Sequence, residues 1–145
     1  MKLRTDLMHF GYRNKNGRIY DESNININEI SNALYGEIGL QDSHQISLSN
    51  VSHITTNLEI INGILYGQVE ILSTPQGNIL KNLINESTVI FRPRGTGEVN
   101  SDGTISDYKL ISFDAIIDHE DSFDKTILRK EKIEKIMKRI NEKKY

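Results

Sequence analysis

The sequence predicts an α+β, mainly β fold. The expected body is a closed or half-closed β-barrel with peripheral helices, followed by a basic C-terminal helix. Three observations lead there. Apolar runs of strand length, bounded by Gly, Asn, Ser and Pro, recur through the first ~120 residues. The pair Asn62-Gly63 stands between two of these runs, a strong short-range hairpin signal. From Lys125 to Tyr145 there are nine Lys/Arg against three Glu, so this stretch carries +6 within a chain of net charge −2. The remainder is therefore −8. The division gives two units, a body at residues 1–123 and a basic amphipathic helix at 124–145.

Taken in order, Leu3 to Tyr12 reads as a first strand. Asn14-Lys15-Asn16-Gly17 is turn chemistry, because Asn and Gly tolerate positive φ. Ile25, Ile27 and Ile30 to Leu34 read as a short helix. Ile46-Ser47-Leu48 and Val51 to Ile61 read as strand, and Ile64 to Leu72 is the return strand after Asn62-Gly63. Thr74 is placed to cap a helix over Gln76 to Ile84, with Pro75 at its first position. Thr88 to Phe91 is a strand running into Arg92-Pro93-Arg94-Gly95-Thr96-Gly97. Ser101-Asp102-Gly103 is a second hairpin turn, and Tyr108 to Ile117 is the last strand of the body. In the tail, Asp124 is a candidate N-cap. Ile133, Ile136, Met137 and Ile140 then fall on one helical stripe, with cations around it and at the C-terminal end.

Composition limits the chemistry. The 145 residues are one domain's worth, enough to bury roughly 70% of the unfolded surface. Cysteine is absent, which excludes disulfides, thiolate metal sites and a cysteine nucleophile. No apolar run approaches the ~20 residues of a membrane helix, and the charged N-terminal residues Lys2, Arg4 and Asp6 do not form a signal peptide. The expectation is no membrane contact. No cofactor is expected: Gly95-Thr96-Gly97 lacks the spacing and the Lys-Ser/Thr pair of a phosphate loop. No metal is expected either, since the four histidines form no helical metal pair. His119 beside Asp118, Glu120 and Asp121 reads as a solvated loop, and His53 as a strand histidine.

Six segments, in order, resemble the prohead (head-maturation) serine proteases of tailed bacteriophages, a family related in fold to the herpesvirus assemblins. They are Asn14-Lys15-Asn16-Gly17-Arg18-Ile19-Tyr20, Gly36-Glu37-Ile38, Val51-Ser52-His53-Ile54 through Leu72, Ser73 to Ile84, Phe91-Arg92-Pro93-Arg94-Gly95-Thr96-Gly97, and Phe113-Asp114-Ala115-Ile116. The match covers roughly residues 10 to 118. It implies a prohead-protease-like barrel over 1–123.

The departures bear on function. The resemblance assigns the serine nucleophile to the position of Arg92, followed here by Pro93. It assigns the general base, a histidine, to the position of Leu40. Arginine stays cationic and has no hydroxyl, and leucine accepts no proton. Nucleophilic catalysis needs both groups within hydrogen-bond reach. Asp114 matches a family aspartate that orients the base. Arg94 and Gly95 match a loop linked to oxyanion stabilisation. His53 with Ser52, Ser112 or Ser47 offers a weak replacement. Neighbouring strand residues point to opposite faces, so Ser52 is not expected to meet His53. Ser112 shares a face with Asp114, which leaves His53, Ser112 and Asp114 as the alternative set.

The resemblance therefore implies a pseudoenzyme of a serine peptidase family, a structural or binding component in phage head assembly or the virion. The alternatives are an active maturation peptidase with displaced catalytic residues and an unrelated β-rich interaction domain. Expected partners are phage capsid, scaffold or protease proteins, or a second copy in a homo-oligomer. The tail, through Lys130, Lys132, Lys135, Lys138 and Arg139, is the candidate contact element for protein or nucleic acid. The expected setting is the host cytoplasm during assembly, or the virion.

Overall fold

The computed structural model describes residues 1–14, 16–30, 32–39, 41–117 and 125–128. Among the described residues, seven strands and one α-helix carry the fold: β1 Lys2–His9, β2 Leu34–Glu37, β3 Val51–Ile61, β4 Ile64–Ile71, α1 Pro75–Glu86, β5 Val89–Val99, β6 Ile105–Ile117 and β7 Lys125–Leu128. They form two sheets. One has the order β1-β4-β3-β2, all antiparallel. The other has the order β6-β5-β7, with β5/β6 antiparallel and β5/β7 parallel. Of the closed or half-closed barrel expected, the closed form is corrected: among the described residues no continuous ladder joins the two sheets into a ring. The sheets meet where the chain leaving β2 touches β6, through a bridge between Ile38 and Ala115 and a 2.7 Å bond from the Gly39 N–H to the Ala115 carbonyl.

The β3–β4 hairpin follows from its turn. Asn62 and Gly63 take φ of 48° and 78°, the positive pair that matches the right-handed twist of the flanking strands. In β4 the alternation is complete: Leu65, Gly67, Val69 and Ile71 are buried, with half-buried residues between them. Leu65, Val69 and Ile71 join Leu7, Met8, Phe10, Tyr20, Leu80, Phe91 and Phe113 in the core.

Helix α1 begins as its sequence dictates. Thr74 Oγ1 accepts from the Gly77 N–H at 2.9 Å and donates to the Val51 carbonyl at 2.7 Å, so one hydroxyl caps the helix and ties it to β3. Residue 77 has to be glycine, because a Cβ there would overlap the Leu72 carbonyl. Leu80 then inserts fully into the core.

Three local expectations are corrected. Ile25 to Leu34 is not one helix. It is two single 3-10 turns, Glu22–Asn24 and Ile27–Glu29, followed by β2. Asp21 and Asn26 each accept from a backbone N–H two residues on, which starts a new turn each time. Ile46-Ser47-Leu48 is not a strand but leads into a 3-10 turn at Leu48–Asn50. The tail does not start a helix at Lys125. Lys125–Leu128 pairs instead with Arg94–Gly97 of β5, because the unpaired edge of β5 offers backbone partners that outweigh local propensity. The other tail residues, with Lys130, Lys132, Lys135, Lys138 and Arg139, lie outside the described residues.

Candidate functional site

The register of β5 against β6 sets Arg92 opposite Asp114 and Arg94 opposite Ser112. On the other side of β6, the Glu37 backbone N–H donates to Asp114 Oδ1 at 3.2 Å. Three segments quoted for the resemblance thus converge on Asp114: the one containing Glu37, the one containing Arg92 to Gly95, and Asp114's own. Leu40 lies outside the described residues. Its neighbours are tied beside β6, Gly39 by the bond to Ala115 and Gln41 by a 3.0 Å bond from Nε2 to the Ile38 carbonyl.

Arg94 is completely buried, and each of its three guanidinium nitrogens has a partner. Its Nε lies 2.9 Å from Asp114 Oδ2 and 3.1 Å from Ser112 Oγ. Its Nη2 donates to Asp114 Oδ1 at 3.3 Å and lies 3.6 Å from Glu37 Oε2. Its Nη1 donates to the Ser43 carbonyl at 3.0 Å. Ser112 Oγ donates to Asp114 Oδ1 at 2.9 Å, and Glu37 Oε1 accepts from the Ser47 N–H at 2.6 Å. Two buried carboxylates thus share one guanidinium, and the cluster ties residues 43 to 47 to the β5/β6 sheet. Burial dominates at Asp114 and pushes its carboxyl up to about 6. Arg94, the Glu37 N–H and Ser112 pull the other way. Gly95 follows from packing, since a Cβ would collide with the Tyr108 ring and the Lys109 carbonyl. In this arrangement Arg94 and Gly95 hold backbone and carboxylates, and the guanidinium has no open face for an incoming oxyanion.

Arg92, at the position the resemblance assigns to the nucleophile, reaches across to β1. Its Nη1 donates to the Phe91 carbonyl at 2.8 Å and the Asp6 carbonyl at 3.3 Å. Its Nη2 lies 3.4 Å from Asp6 Oδ2, which also bonds His9 Nε2 at 2.7 Å. Despite some burial of its own, Asp6 is held below the usual carboxylate range by its bond to His9 and by Arg92. Chemically this is an anchored cation that supplies no nucleophile.

His53 is the strand histidine expected, on β3 with both ring nitrogens engaged, but its partner Ser52 is not the one expected. Ser52 Oγ lies 2.7 Å from His53 Nδ1, and His53 Nε2 lies 2.6 Å from the Phe113 carbonyl. A carbonyl only accepts, so Nε2 carries the proton and Nδ1 accepts from the serine. The expectation that neighbouring strand residues stay apart is corrected. β2 and β3 shift register between Gly36 and Glu37, opposite this stretch of β3, and a side chain rotated along its strand reaches a neighbour that strict alternation would separate. The alternative set of His53, Ser112 and Asp114 is not brought together, for His53 bonds Phe113 while Ser112 bonds Arg94 and Asp114. Ser52 and His53 are both fully buried. Burial lowers the imidazole pKa to about 4, so the ring is neutral at pH 7. Its edge packs against Phe91, with ring centroids 5.0 Å apart. Gly36 covers the pair, and a Cβ at residue 36 would strike both the imidazole and the Phe113 carbonyl.

Ser43 is a site residue that sequence reasoning missed, and Glu37 and Ser47, named there for other reasons, were not expected in the Arg94 cluster. The one signal was a charged residue, Glu37, inside the apolar stretch Leu34 to Leu40. His119 with Asp118, Glu120 and Asp121 lies outside the described residues. Among the described residues no three His, Asp or Glu gather as metal ligands.

No protein-family model matches the chain, and no curated protein matches it in sequence. Among solved structures it is similar to the bacteriophage T4 capsid assembly protease, gp21. The TM-score is 0.63 at 14% identity, over 79% of this chain and 80% of that one. At that identity the likeness is one of fold.

Proposed function

We propose that this protein is a catalytically silent relative of phage head-maturation proteases, acting as a structural or binding component in phage head assembly. The observation that carries the reading is Arg92. A permanently charged side chain, engaged by Phe91 and Asp6, stands at the position that the resemblance assigns to the nucleophile. The fold shared with a phage capsid assembly protease supports the setting. The retained Glu37, Arg94 and Asp114 support it too, because their present bonds serve to hold the fold.

The second reading is an active peptidase with displaced groups, and the bond between Ser52 and His53 is what favours it. Against it, both side chains are buried beneath Gly36. A fluorophosphonate probe separates the two. The expected result is no covalent labelling of the folded chain. Labelling that disappears in Ser52→Ala would establish the peptidase instead. Co-sedimentation with phage capsid and scaffold proteins tests the binding role, and failure to co-sediment with any of them would remove it.

A further inference from the structure

Residues 41–50, between β2 and β3, form a strap bonded to the Arg94 cluster. Apart from the half-buried Gln41 and Ile46, all of them are exposed. The strap is nevertheless fixed along its length. Arg94 Nη1 holds the Ser43 carbonyl at 3.0 Å, and Glu37 Oε1 holds the Ser47 N–H at 2.6 Å. Both of these partners are buried. Val51, the residue after the strap, is buried at the start of β3.

Leu48 stands between the fixed Ser47 and the buried Val51. It opens the 3-10 turn Leu48–Asn50, which is closed by a 2.9 Å bond from the Asn50 N–H to the Ser47 carbonyl. A 2.9 Å bond between the Ser47 and Ser49 hydroxyls flanks it. The leucine is 83% exposed, the most of any large apolar residue among the described residues. Left in water, its side chain adds nothing to the fold. A buried charge network adds little net stability over apolar packing of similar volume, so what Glu37 and Arg94 give the strap is a fixed position. A side chain presented on a turn whose shape is set beforehand loses little freedom when a partner binds it.

The chemistry of the strap narrows its partner. Gln41 to Asn50 contains one Asp and no Lys or Arg, so it has no permanent cation to meet a phosphate backbone. One leucine without cations is also too little to hold a membrane surface. We infer that Leu48 is the anchor of a preformed docking strap, and that its partner is a protein with an apolar pocket for one branched side chain, rimmed by neutral groups that pair with the neighbouring Ser, Asn and Gln side chains. This rests on reading the chain as a binding component in phage head assembly, and it names the element that binds there.

Hydrogen exchange on the free full chain tests the first half. The Ser47 amide is expected to exchange at least about a hundredfold more slowly than in an unstructured peptide, because it is bonded to a buried carboxylate. Exchange at the unstructured rate would mean that the strap is not preformed, and would overturn the inference. Co-sedimentation with phage capsid and scaffold proteins tests the second half. Leu48→Ser should weaken binding about tenfold or more, since burial of a leucine is lost, while its thermal melt matches the parent's. Ile79→Ser, which removes another exposed apolar side chain, on α1, should bind like the parent. Leu48→Ser binding as tightly as the parent, or both variants losing affinity equally, would overturn the inference and leave the head-assembly reading standing. Binding that disappears on nuclease treatment would put a nucleic acid in the partner's place and overturn it as well. A parent chain that co-sediments with none of these proteins would overturn both readings together.

Discussion

Arg94 grips Asp114 with two nitrogens, Nε at 2.9 Å from Oδ2 and Nη2 at 3.3 Å from Oδ1, where both residues are almost wholly excluded from water. Residue 94 sits on β5 and residue 114 on β6, and the loop through Ser43 is bonded to the same guanidinium. One side chain therefore joins two strands and a loop.

Replacing that guanidinium leaves two buried carboxylates without a cation. Arg94→Met should cost about 3–5 kcal/mol, the usual cost of breaking a buried pair from one side. Urea denaturation measures it. A loss below about 1 kcal/mol would mean that the cluster is solvated.

Asp114 and His53 oppose each other in their response to pH. The carboxyl of Asp114 is raised to about 6 from 3.8, so its contribution is present at low pH and lost as pH rises through 6. The imidazole of His53 is lowered to about 4 from 6.5, so its contribution is present above 6.5 and lost as pH falls through 4. Between pH 4 and 6 the two slopes cancel. The stability difference between the parent and Asp114→Asn isolates the carboxyl, and should grow by on the order of 3 kcal/mol from pH 7 to pH 4. A difference that is flat with pH would contradict a raised Asp114.

Ser52→Ala removes the proton donated to His53 Nδ1 and leaves a buried acceptor unsatisfied. The expected loss is about 1–3 kcal/mol. Gly36→Ala forces a methyl against the imidazole and the Phe113 carbonyl, and should cost at least as much as ordinary overpacking, about 1–3 kcal/mol. Thermal melts of both variants would show whether this seam holds the two sheets together.

Arg92→Ser puts a hydroxyl at the position that the resemblance assigns to the nucleophile, while Leu40, at the position it assigns to the base, accepts no proton. This variant is expected to remain unlabelled by a fluorophosphonate probe, because an unactivated serine is a weak nucleophile. Labelling of Arg92→Ser would show that a base is already within reach of residue 92, and would undo the silent reading.

Local chemistry settled much of the fold. Asn62-Gly63 determined a hairpin, because two successive positive-φ residues make that turn. Thr74-Pro75 determined where α1 begins, and the runs on either side of Asn62-Gly63 determined β3 and β4. The residue types at positions 92 and 40, to which the resemblance assigns nucleophile and base, were equally visible, since a side chain's ability to attack or to accept a proton belongs to its residue type. Tertiary structure decided the rest. β2 and β7 are short, carry no strong period, and exist because β3 and β5 offer unpaired edges. Glu37 meets Asp114 across 77 residues of chain, and His53 meets Phe113 across 60. Propensity and periodicity act over a few residues, whereas burial, shared protons and the pairing of charges depend on which distant strands are brought together.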